Sequence, residues 1–131
     1  MSYNLFLDDF RQPVDAFNIW KDIDFLKLEW VVVQSHDEFV KLVTKNFSEG
    51  KWPNMVAFDH DLHDEHYDMD FSDMNYLKTN LPTGYHTAKW LVEFCKSNSL
   101  DLPAFKVHSQ STSGRRNITK VLESFANVKN N

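Results

Sequence analysis

The sequence predicts a doubly wound α/β domain, in which helices cover both faces of a mainly parallel sheet of four or five strands. Two observations support this fold class. Short, continuous apolar runs recur along the chain, and amphipathic segments of helical length follow them. Apolar runs without polar alternation are typical of parallel strands buried on both faces, and a strand-then-helix order builds such sheets. At 131 residues, the chain is expected to form one domain over residues 1–131.

Four apolar runs predict the strands. The first run is too short for a helix and ends abruptly in two aspartates, Asp8 and Asp9. The second is rich in valine, whose branched side chain favours extended backbone. The third ends in another acid, Asp59, and the fourth ends in a histidine and a serine. The predicted strands are Tyr3–Leu7, Trp30–Gln34, Met55–Phe58 and Ala104–Val107.

Three amphipathic segments predict helices after the second, third and fourth strands. The first begins with a capping box, because Ser35 lies three residues before Glu38. The other two begin beside Gly84 and Gly114. In each segment the apolar residues recur every three or four positions, which places them on one helical face. The predicted helices are Ser35–Phe47, Thr83–Asn98 and Ser113–Ala126.

Two stretches have no clear hydrophobic period. Phe10–Glu29 is expected to hold at most an irregular helix. His63–Pro82 is rich in acidic residues and is predicted to be a long loop. Loops of that length in a small domain tend to bind ligands or form lids. The acidic part of this loop, Asp64–Asp73, suits docking on a protein partner.

Composition excludes several classes of function. A formal net charge of −5 argues against duplex DNA as a partner, whereas a small phosphate-containing ligand needs only local positive groups. The single cysteine, Cys95, cannot form an internal disulfide and fits a reducing compartment. No run approaches the length of a membrane span, and the N-terminus lacks the features of a signal peptide. The expected location is therefore the cytoplasm.

Polar side chains gather where three of the predicted strands end. Parallel strands have their carboxyl ends at one sheet edge, where such sheets bind ligands. Four carboxylates close together repel one another, and a divalent cation relieves that repulsion. Hard oxygen donors suit Mg²⁺ or Mn²⁺, with phosphate oxygens completing the coordination. The predicted metal ligands are Asp8, Asp9, Asp59 and Asp61. The alternative is that Asp9 and Asp61 only cap loops.

Histidines in the same groups are candidates for acid–base chemistry. His60 and His108, together with Asp59, are predicted to be catalytic, and either histidine suits proton transfer or metal ligation. His63 lies close enough in sequence to join them. A zinc site is less favoured, because no cysteine accompanies these residues and their spacing matches no common zinc motif. The alternative is a buried histidine that bonds a neighbouring carboxylate and serves only the fold.

Two helix starts and two arginines predict phosphate binding. Helix N-termini present free N–H groups to anions, and glycine lets a phosphate approach the backbone closely. An arginine fork matches phosphate geometry. Plain helix capping explains the same Ser/Thr-Gly pairs equally well. The predicted phosphate-binding residues are Arg11, Thr83, Gly84, Ser109 and Arg115, with Arg116 as an alternative to Arg115.

Taken in order, these motifs resemble the cyclic-phosphate processing receiver-like domains, a divergent branch of the response-regulator receiver fold found often in phages and bacteria. The resemblance implies a receiver-like, flavodoxin-like sheet with strand order 2-1-3-4, or 2-1-3-4-5, and action on cyclic phosphates of nucleotides or RNA ends. By position, Asp8 and Asp9 resemble the receiver's metal-binding acids, Asp59 its phosphoacceptor and Ser109 its hydroxyl. The motifs span Leu5–Pro13, Trp30–Val33, Phe58–Leu62, Thr83–Gly84, His108–Ser109 and Gly114–Asn117.

One departure from the receiver pattern affects the functional expectation. A receiver has a fifth strand that ends in a phosphoryl-contacting lysine, whereas here Lys129 lies in a polar tail and only Phe125–Val128 offers a stub of such a strand. The leading expectation is therefore a metal-dependent phosphoesterase acting on a cyclic phosphate. The alternatives are a signalling domain phosphorylated on Asp59, and a non-catalytic domain that sequesters a nucleotide or docks on a host protein.

Overall fold

The computed structural model describes residues 2–62 and 81–130, with side chains described through residue 127. Four strands and five helices follow one another along this part of the chain. The strands are β1 (Ser2–Leu7), β2 (Val31–Val33), β3 (Trp52–Phe58) and β4 (Ala104–Val107). The helices are α1 (Pro13–Trp20), α2 (Asp24–Lys27), α3 (His36–Ser48), α4 (Gly84–Asn98) and α5 (Thr112–Asn130).

All strand pairs in the sheet are parallel, and the strand order is β2-β1-β3-β4. This order and the helices on both faces confirm the predicted receiver-like α/β fold. The register is continuous at the carboxyl ends, where Leu7, Phe58 and Val107 form one cross-strand row. At the other end of β3 the register slips by one residue, because Asn54 is an extra residue opposite β1. This irregularity is a β-bulge, and it follows Pro53, which has no N–H for the ladder.

The two faces of the sheet carry apolar clusters of different size. Side chains alternate between faces along a strand, so Leu7 and Phe58 point to one face and Phe6 and Ala57 to the other. The larger cluster includes residues of α3, α4 and α5, for example Phe39, Leu91 and Ile118. The smaller cluster is covered by α1 and α2 and contains Phe6, Ala16, Phe25 and Ala57, with Trp30 and Val32 packed against it. The site described below lies on the face of the smaller cluster, at the carboxyl ends of the strands.

The stretch before β2 is more regular than its sequence predicts. It holds two helices, α1 and the single-turn α2. Pro13 occupies the first position of α1, where its missing N–H costs no hydrogen bond, and Asp15 accepts a hydrogen bond from the backbone N–H of Gln12. Lys106 of β4 holds α2 against the sheet through Asp22 at 2.6 Å and Asp24 at 3.1 Å.

The other predicted helices are present with small differences in their bounds. Ser35 caps α3 by accepting from the N–H of Glu38, as its capping box predicts. Phe125–Val128, considered as a stub of a fifth strand, instead continues α5. Residues 63–80, most of the predicted long loop, lie outside the described residues. Across residues 2–62 and 81–130, no helix combines the length and apolarity needed to cross a bilayer.

Candidate functional site

Three polar residues form the next cross-strand row beyond the apolar ends of β1, β3 and β4. They are Asp8, Asp59 and His108, each one residue past the last paired row. Backbone hydrogen bonds extend the ladder into this row, with Asp59 N–H donating to Leu7 O and His108 N–H to Phe58 O, both at 3.0 Å. Strand alternation directs all three side chains to the smaller face of the sheet. The register therefore brings together residues separated by up to 100 positions.

The three side chains of this row, which we call the Asp–Asp–His row, are close together and buried. One ligand atom from each lies within 4.8 Å of those from the others. Their exposed fractions are 1% for Asp8, 3% for Asp59 and 2% for His108. His108 Nε2 lies 3.1 Å from Asp8 Oδ2. Two carboxyl groups and an imidazole thus lie together in one buried environment.

Asp8 is held in place from two sides. Its Oδ1 accepts hydrogen bonds from the backbone N–H groups of Phe10 at 2.9 Å and Arg11 at 2.8 Å, while Oδ2 faces His108. A side-chain oxygen that bonds the backbone two residues on makes an Asx-type turn. This turn fixes the chain that leaves β1, so the position of residues 9–11 follows from the carboxylate of Asp8.

Asp59 has the most perturbed acidity in the site. Its pKa is raised from 3.8 to about 8, mainly by burial and then by the charges of Asp8, Asp61 and Asp9, while the hydrogen bond from the His60 backbone N–H partly opposes the rise. Burial disfavours a charged carboxylate, and neighbouring like charges disfavour it again. Asp9 and Asp61 are both partly buried and close enough to act on Asp59 by charge, but neither belongs to the Asp–Asp–His row.

His108 is positioned by aromatic side chains as well as by Asp8. Its ring stacks on Phe6 at 4.4 Å between centroids and 9° between planes, and it meets Phe25 edge-on at 5.9 Å. Burial lowers the pKa of His108, and the hydrogen bond to Asp8 only partly offsets this. Its Nδ1 is buried and bonds no partner among the described residues. An imidazole in this setting is neutral near pH 7.

Two arginines flank the turn between β4 and α5. Arg11 Nη2 donates to Gln110 Oε1 at 2.6 Å, and Arg115 Nη1 donates to the Ser109 carbonyl oxygen at 3.4 Å. Ser109 is 1% exposed, and its hydroxyl accepts from the Ser111 N–H at 3.1 Å. The turn therefore carries positive charge on both sides, next to the Asp–Asp–His row.

His60 lies apart from the Asp–Asp–His row. Its side chain is fully buried, and its Nδ1 lies 2.7 Å from Asp61 Oδ1. A side chain at Gly114 would overlap the His60 ring, and one at Gly84 would overlap the backbone carbonyl of Asp59. The two helix starts thus close on His60 and Asp59, and only glycine permits that approach. We call His60 and these two glycines the His60 wedge.

Thr83 and Gly84, predicted to bind phosphate, have defined structural partners. The buried Thr83 hydroxyl accepts from the Tyr85 N–H at 3.2 Å and caps α4. Gly84 N–H donates to the His60 carbonyl at 2.7 Å. Helix capping and close packing therefore account for Thr83 and Gly84, and capping is the alternative to phosphate binding that the sequence analysis gives. His63, also considered for the site, lies outside the described residues.

Several residues that shape the site were not predicted from the sequence. Trp20 Nε1 donates to the His108 carbonyl at 2.8 Å, and the Arg115 guanidinium stacks over the Trp20 ring at 5.1 Å. Gln110 orients Arg11, and Phe6 supports the His108 ring. The alternation of side chains along β1 is a signal that could have placed Phe6 beneath the row, because Phe6 and Asp8 point to the same face. Trp20 had no comparable signal, because it belongs to a helix whose period is weak.

The donor set of the Asp–Asp–His row fits a divalent cation. Two buried carboxyl groups beside each other are unfavourable without a counter-charge, and Asp59 shows this in its raised pKa. Carboxylate oxygens suit Mg²⁺ and Mn²⁺, and an imidazole nitrogen is more typical of transition metals, so this set favours Mn²⁺ over Mg²⁺. The residues that could hold the ion are Asp8, Asp59 and His108.

Comparisons with known proteins identify the family of the chain. No curated protein and no solved structure matches it. A family model for the cyclic-phosphate processing receiver domain matches residues 3–124, which include the whole Asp–Asp–His row. Because that match covers most of the sequence, the chain belongs to the cyclic-phosphate processing receiver domain family.

Proposed function

We propose that the chain is a metal-dependent phosphoesterase that hydrolyses a cyclic phosphate ester. The observation that carries this proposal is the Asp–Asp–His row: three polar groups, nearly fully buried, within 4.8 Å of one another at the carboxyl edge of a parallel sheet. Buried ionisable groups with perturbed pKa values in one place are typical of catalytic sites. Membership of a cyclic-phosphate processing family supports the choice of substrate.

Asp8 and Asp59 are the residues proposed to hold the cation, which leaves His108 for proton transfer. Bound there, a divalent ion would supply Lewis-acid polarisation of a phosphoryl oxygen and promote ionisation of water. Asp9 and Asp61 add negative charge around Asp59, which favours a cation further. Mn²⁺ and Mg²⁺ are the two candidates, because carboxylate oxygens suit both ions.

Hydrolysis of a cyclic phosphate adds one water across one ester bond. A water oxygen bonds to phosphorus, one P–O ester bond breaks, and a proton from the water ends on the alcohol oxygen that leaves. His108 is proposed to assist this proton movement. A bond to a carboxylate oxygen needs the proton on Nε2, so the neutral ring, with its pKa lowered by burial, keeps its lone pair on Nδ1. That nitrogen has no partner among the described residues.

Arg11 and Arg115 are proposed to bind the phosphoryl oxygens. Each guanidinium has five N–H donors, and the contacts with Gln110 and with the Ser109 carbonyl use one from each. These contacts fix both side chains beside the turn that follows His108. A cyclic phosphodiester has one negative charge, which two preoriented guanidinium groups would attract and orient.

Phosphorylation of Asp59, the second function considered, has less support. The segment considered for a fifth strand, Phe125–Val128, continues a helix, so the position from which a receiver lysine would reach the phosphoryl group is missing from the sheet as described. Lys106 is engaged by Asp22 and Asp24 beneath the smaller face. The residue that follows β4 is instead His108, which suits proton transfer.

Turnover of a panel of phosphates separates these functions. The protein is incubated with Mn²⁺ or Mg²⁺ and 2′,3′- or 3′,5′-cyclic nucleotides, and products are followed by phosphorus NMR. The proposal expects a phosphate monoester, and none with Asp59→Asn. A stable mass increase of Asp59 after incubation with acetyl phosphate supports the second function instead. If no cyclic phosphate is hydrolysed with either metal, the proposal is wrong.

Metal binding is tested separately from turnover. A ligand that binds only the folded state stabilises it by mass action and so raises the melting temperature. At a ligand concentration of a hundred times the dissociation constant, the free energy of unfolding rises by about 3 kcal/mol. We expect Mn²⁺ at millimolar concentration to raise the melting temperature of the wild type, and EDTA to reverse it. Asp8→Asn should abolish the rise, whereas Asp37→Asn on α3 serves as the matched control and should keep it. Equal shifts in all three proteins would contradict the assigned ligands.

A further inference from the structure

Phe10 is the most exposed large apolar side chain among the described residues, with 80% of its surface accessible. It follows Asp8 by two positions and precedes Arg11, and its backbone N–H bonds the Asp8 carboxylate, so its backbone lies beside the Asp–Asp–His row. It belongs to neither apolar cluster of the sheet. The fold gains nothing from an apolar ring in this position, because burial of its surface is what would stabilise it.

Hydrogen bonds to Asp8 hold the backbone at Phe10 in place. Its N–H donates to Asp8 Oδ1 at 2.9 Å, and the next N–H, of Arg11, donates to the same oxygen at 2.8 Å. The Arg11 side chain is in turn bonded to Gln110 at 2.6 Å on the turn after β4. The carboxylate of the proposed metal site therefore sets the positions of the backbone at Phe10 and at Arg11 together.

We propose that Phe10 is a stacking platform for the nucleobase of the substrate, an inference that rests on the phosphoesterase function proposed above. The substrate class is then a nucleoside cyclic phosphate rather than a cyclic phosphodiester without a base. Its phosphate lies at the Asp–Asp–His row and Arg11, and its base lies on the ring of Phe10. Aromatic rings bind bases in this way without reading their hydrogen-bonding edges, so the platform accepts any base.

The spacing suits a single nucleotide. Two residues of extended chain span at most about 7 Å, so the Phe10 backbone cannot be further than that from Asp8. A nucleotide links its base and phosphate through one sugar. Its phosphate end is charged and its base end is flat and largely apolar, as are Arg11 and Phe10 in this part of the site. The phosphate end needs the charges of Arg11 and the cation, and the base end needs a flat apolar surface.

A scattered exposed apolar residue is common on protein surfaces and needs no function. Val14 provides that comparison, because it is 51% exposed on α1, four residues further along the chain. The distinguishing property of Phe10 is that its backbone is bonded directly to the Asp8 carboxylate of the buried row. A functional platform must therefore show an effect that Val14 does not, and the effect must depend on the base of the ligand.

The test compares two ligands that differ only in the base: adenosine 2′,3′-cyclic phosphate and ribose 2′,3′-cyclic phosphate. Both kcat/KM and the dissociation constant are measured with Mn²⁺ for wild type, Phe10→Ala, Phe10→Trp and Val14→Ala. We expect Phe10→Ala to weaken binding of the adenosine ligand by roughly 5- to 150-fold, the usual value of one stacked base, and to leave binding of the base-free ligand unchanged. Phe10→Trp should retain the preference, and Val14→Ala should change neither.

The outcomes separate this inference from the proposed function. Turnover of both ligands with no dependence on Phe10 keeps the phosphoesterase and overturns the platform. Equal weakening of both ligands by Phe10→Ala also overturns it, because the effect would not come from the base. If neither ligand is turned over, the phosphoesterase proposal fails, and the binding measurement alone decides the platform. Equal affinity of wild type and Phe10→Ala for the adenosine ligand then overturns it.

Discussion

His108 and His60 are two buried histidines that each lie beside an aspartate, yet they occupy different environments. His108 bonds Asp8 at 3.1 Å and belongs to a row with Asp59, while His60 bonds Asp61 at 2.7 Å between two helix starts. Burial and a carboxylate partner are common to both, so neither property identifies a functional histidine. The two side chains differ in the side of the sheet to which strand alternation directs them. Only His108 lies on the side of the proposed site.

The alternation of side chains at the end of β3 places Asp59 and His60 on opposite sides of the sheet. Asp59 and His60 are consecutive, so their side chains leave the strand on opposite sides. Asp59 joins the row above the smaller face, and His60 enters the wedge formed with Gly84 and Gly114. The wedge holds two helices against the end of β3, which fixes the backbone that presents Asp59. One histidine is thus proposed to act on substrate and the other to hold the strand end.

The largest expected difference is in turnover. His108→Ala should lose roughly 10²- to 10⁴-fold in kcat, the usual size of a general acid–base contribution, and about 1–3 kcal/mol of stability because Asp8 loses its partner. His60→Ala should melt earlier yet keep its turnover within a few-fold in the fraction that stays folded. Rates and melting curves of the two variants decide the matter. Strong loss of turnover in His60→Ala at normal stability would support the catalytic role that the sequence predicts for His60.

A smaller effect is expected in the pH dependence of stability. The pKa of Asp59 is about 8 in the folded protein, above its ordinary value of 3.8. Between these values the unfolded state releases the proton and the folded state keeps it, so metal-free stability falls as pH rises from about 4 to about 8. Asp59→Asn removes this fall and should be on the order of 5 kcal/mol more stable than the wild type at pH 8, but similar at pH 4.

Urea denaturation in EDTA at several pH values measures this difference. Asp37→Asn, which removes an acid from α3, is the matched control and should track the wild type. Saturating Mn²⁺ should shrink or reverse the advantage of Asp59→Asn, because the cation stabilises the ionised carboxylate of the wild type. A wild type whose stability is flat across this pH range would contradict the burial of a like-charged pair at the row.

The smallest expected effects come from filling the His60 wedge. Ala normally favours a helix over Gly by about 1 kcal/mol, but here Gly114→Ala places a methyl against the His60 ring and should cost about 1–3 kcal/mol. Combining it with His60→Ala should recover part of that cost. Gly84→Ala should fall at the upper end of the same range and should not be recovered, because its methyl meets the Asp59 backbone.

Chemical denaturation of the single and double variants provides the measurement, with Ser113→Ala in the first turn of α5 as a control that should stay close to the wild type. Additive effects of Gly114→Ala and His60→Ala would show that the two residues do not share the wedge, since residues in contact normally couple.

The strands and the residues that follow them could be predicted from the sequence because local pattern determines both. An apolar run followed by Asp8 or by His108 marks where a buried strand reaches solvent, and parallel pairing brings such ends together. The contribution of Phe6 follows from the same alternation. The family resemblance added the strand order, which apolar runs alone do not specify.

The remaining features depend on contacts between distant parts of the chain. The wedge joins His60 to Gly114, 54 positions away, so capping or phosphate binding explained each glycine equally well until the structure was known. The helix α1 begins at a proline after a glutamine, which is not a strong cap, and its weak period concealed it. The apolar character of Phe125–Val128 suits a strand or a helix, and α5 continues through it because its other apolar residues already face the sheet.

The bulge at the start of β3 determines where the chain can change length. Asn54 is an unpaired extra residue on the N-terminal side of the strand, so the loss or gain of a residue there can be absorbed before the ladder becomes regular. A single insertion or deletion between Met55 and Asp59 instead reverses which side chains face which side, and brings Phe58 or His60 to the position of the acid. During evolution, β3 can therefore vary in length only at its N-terminal end, away from Asp59.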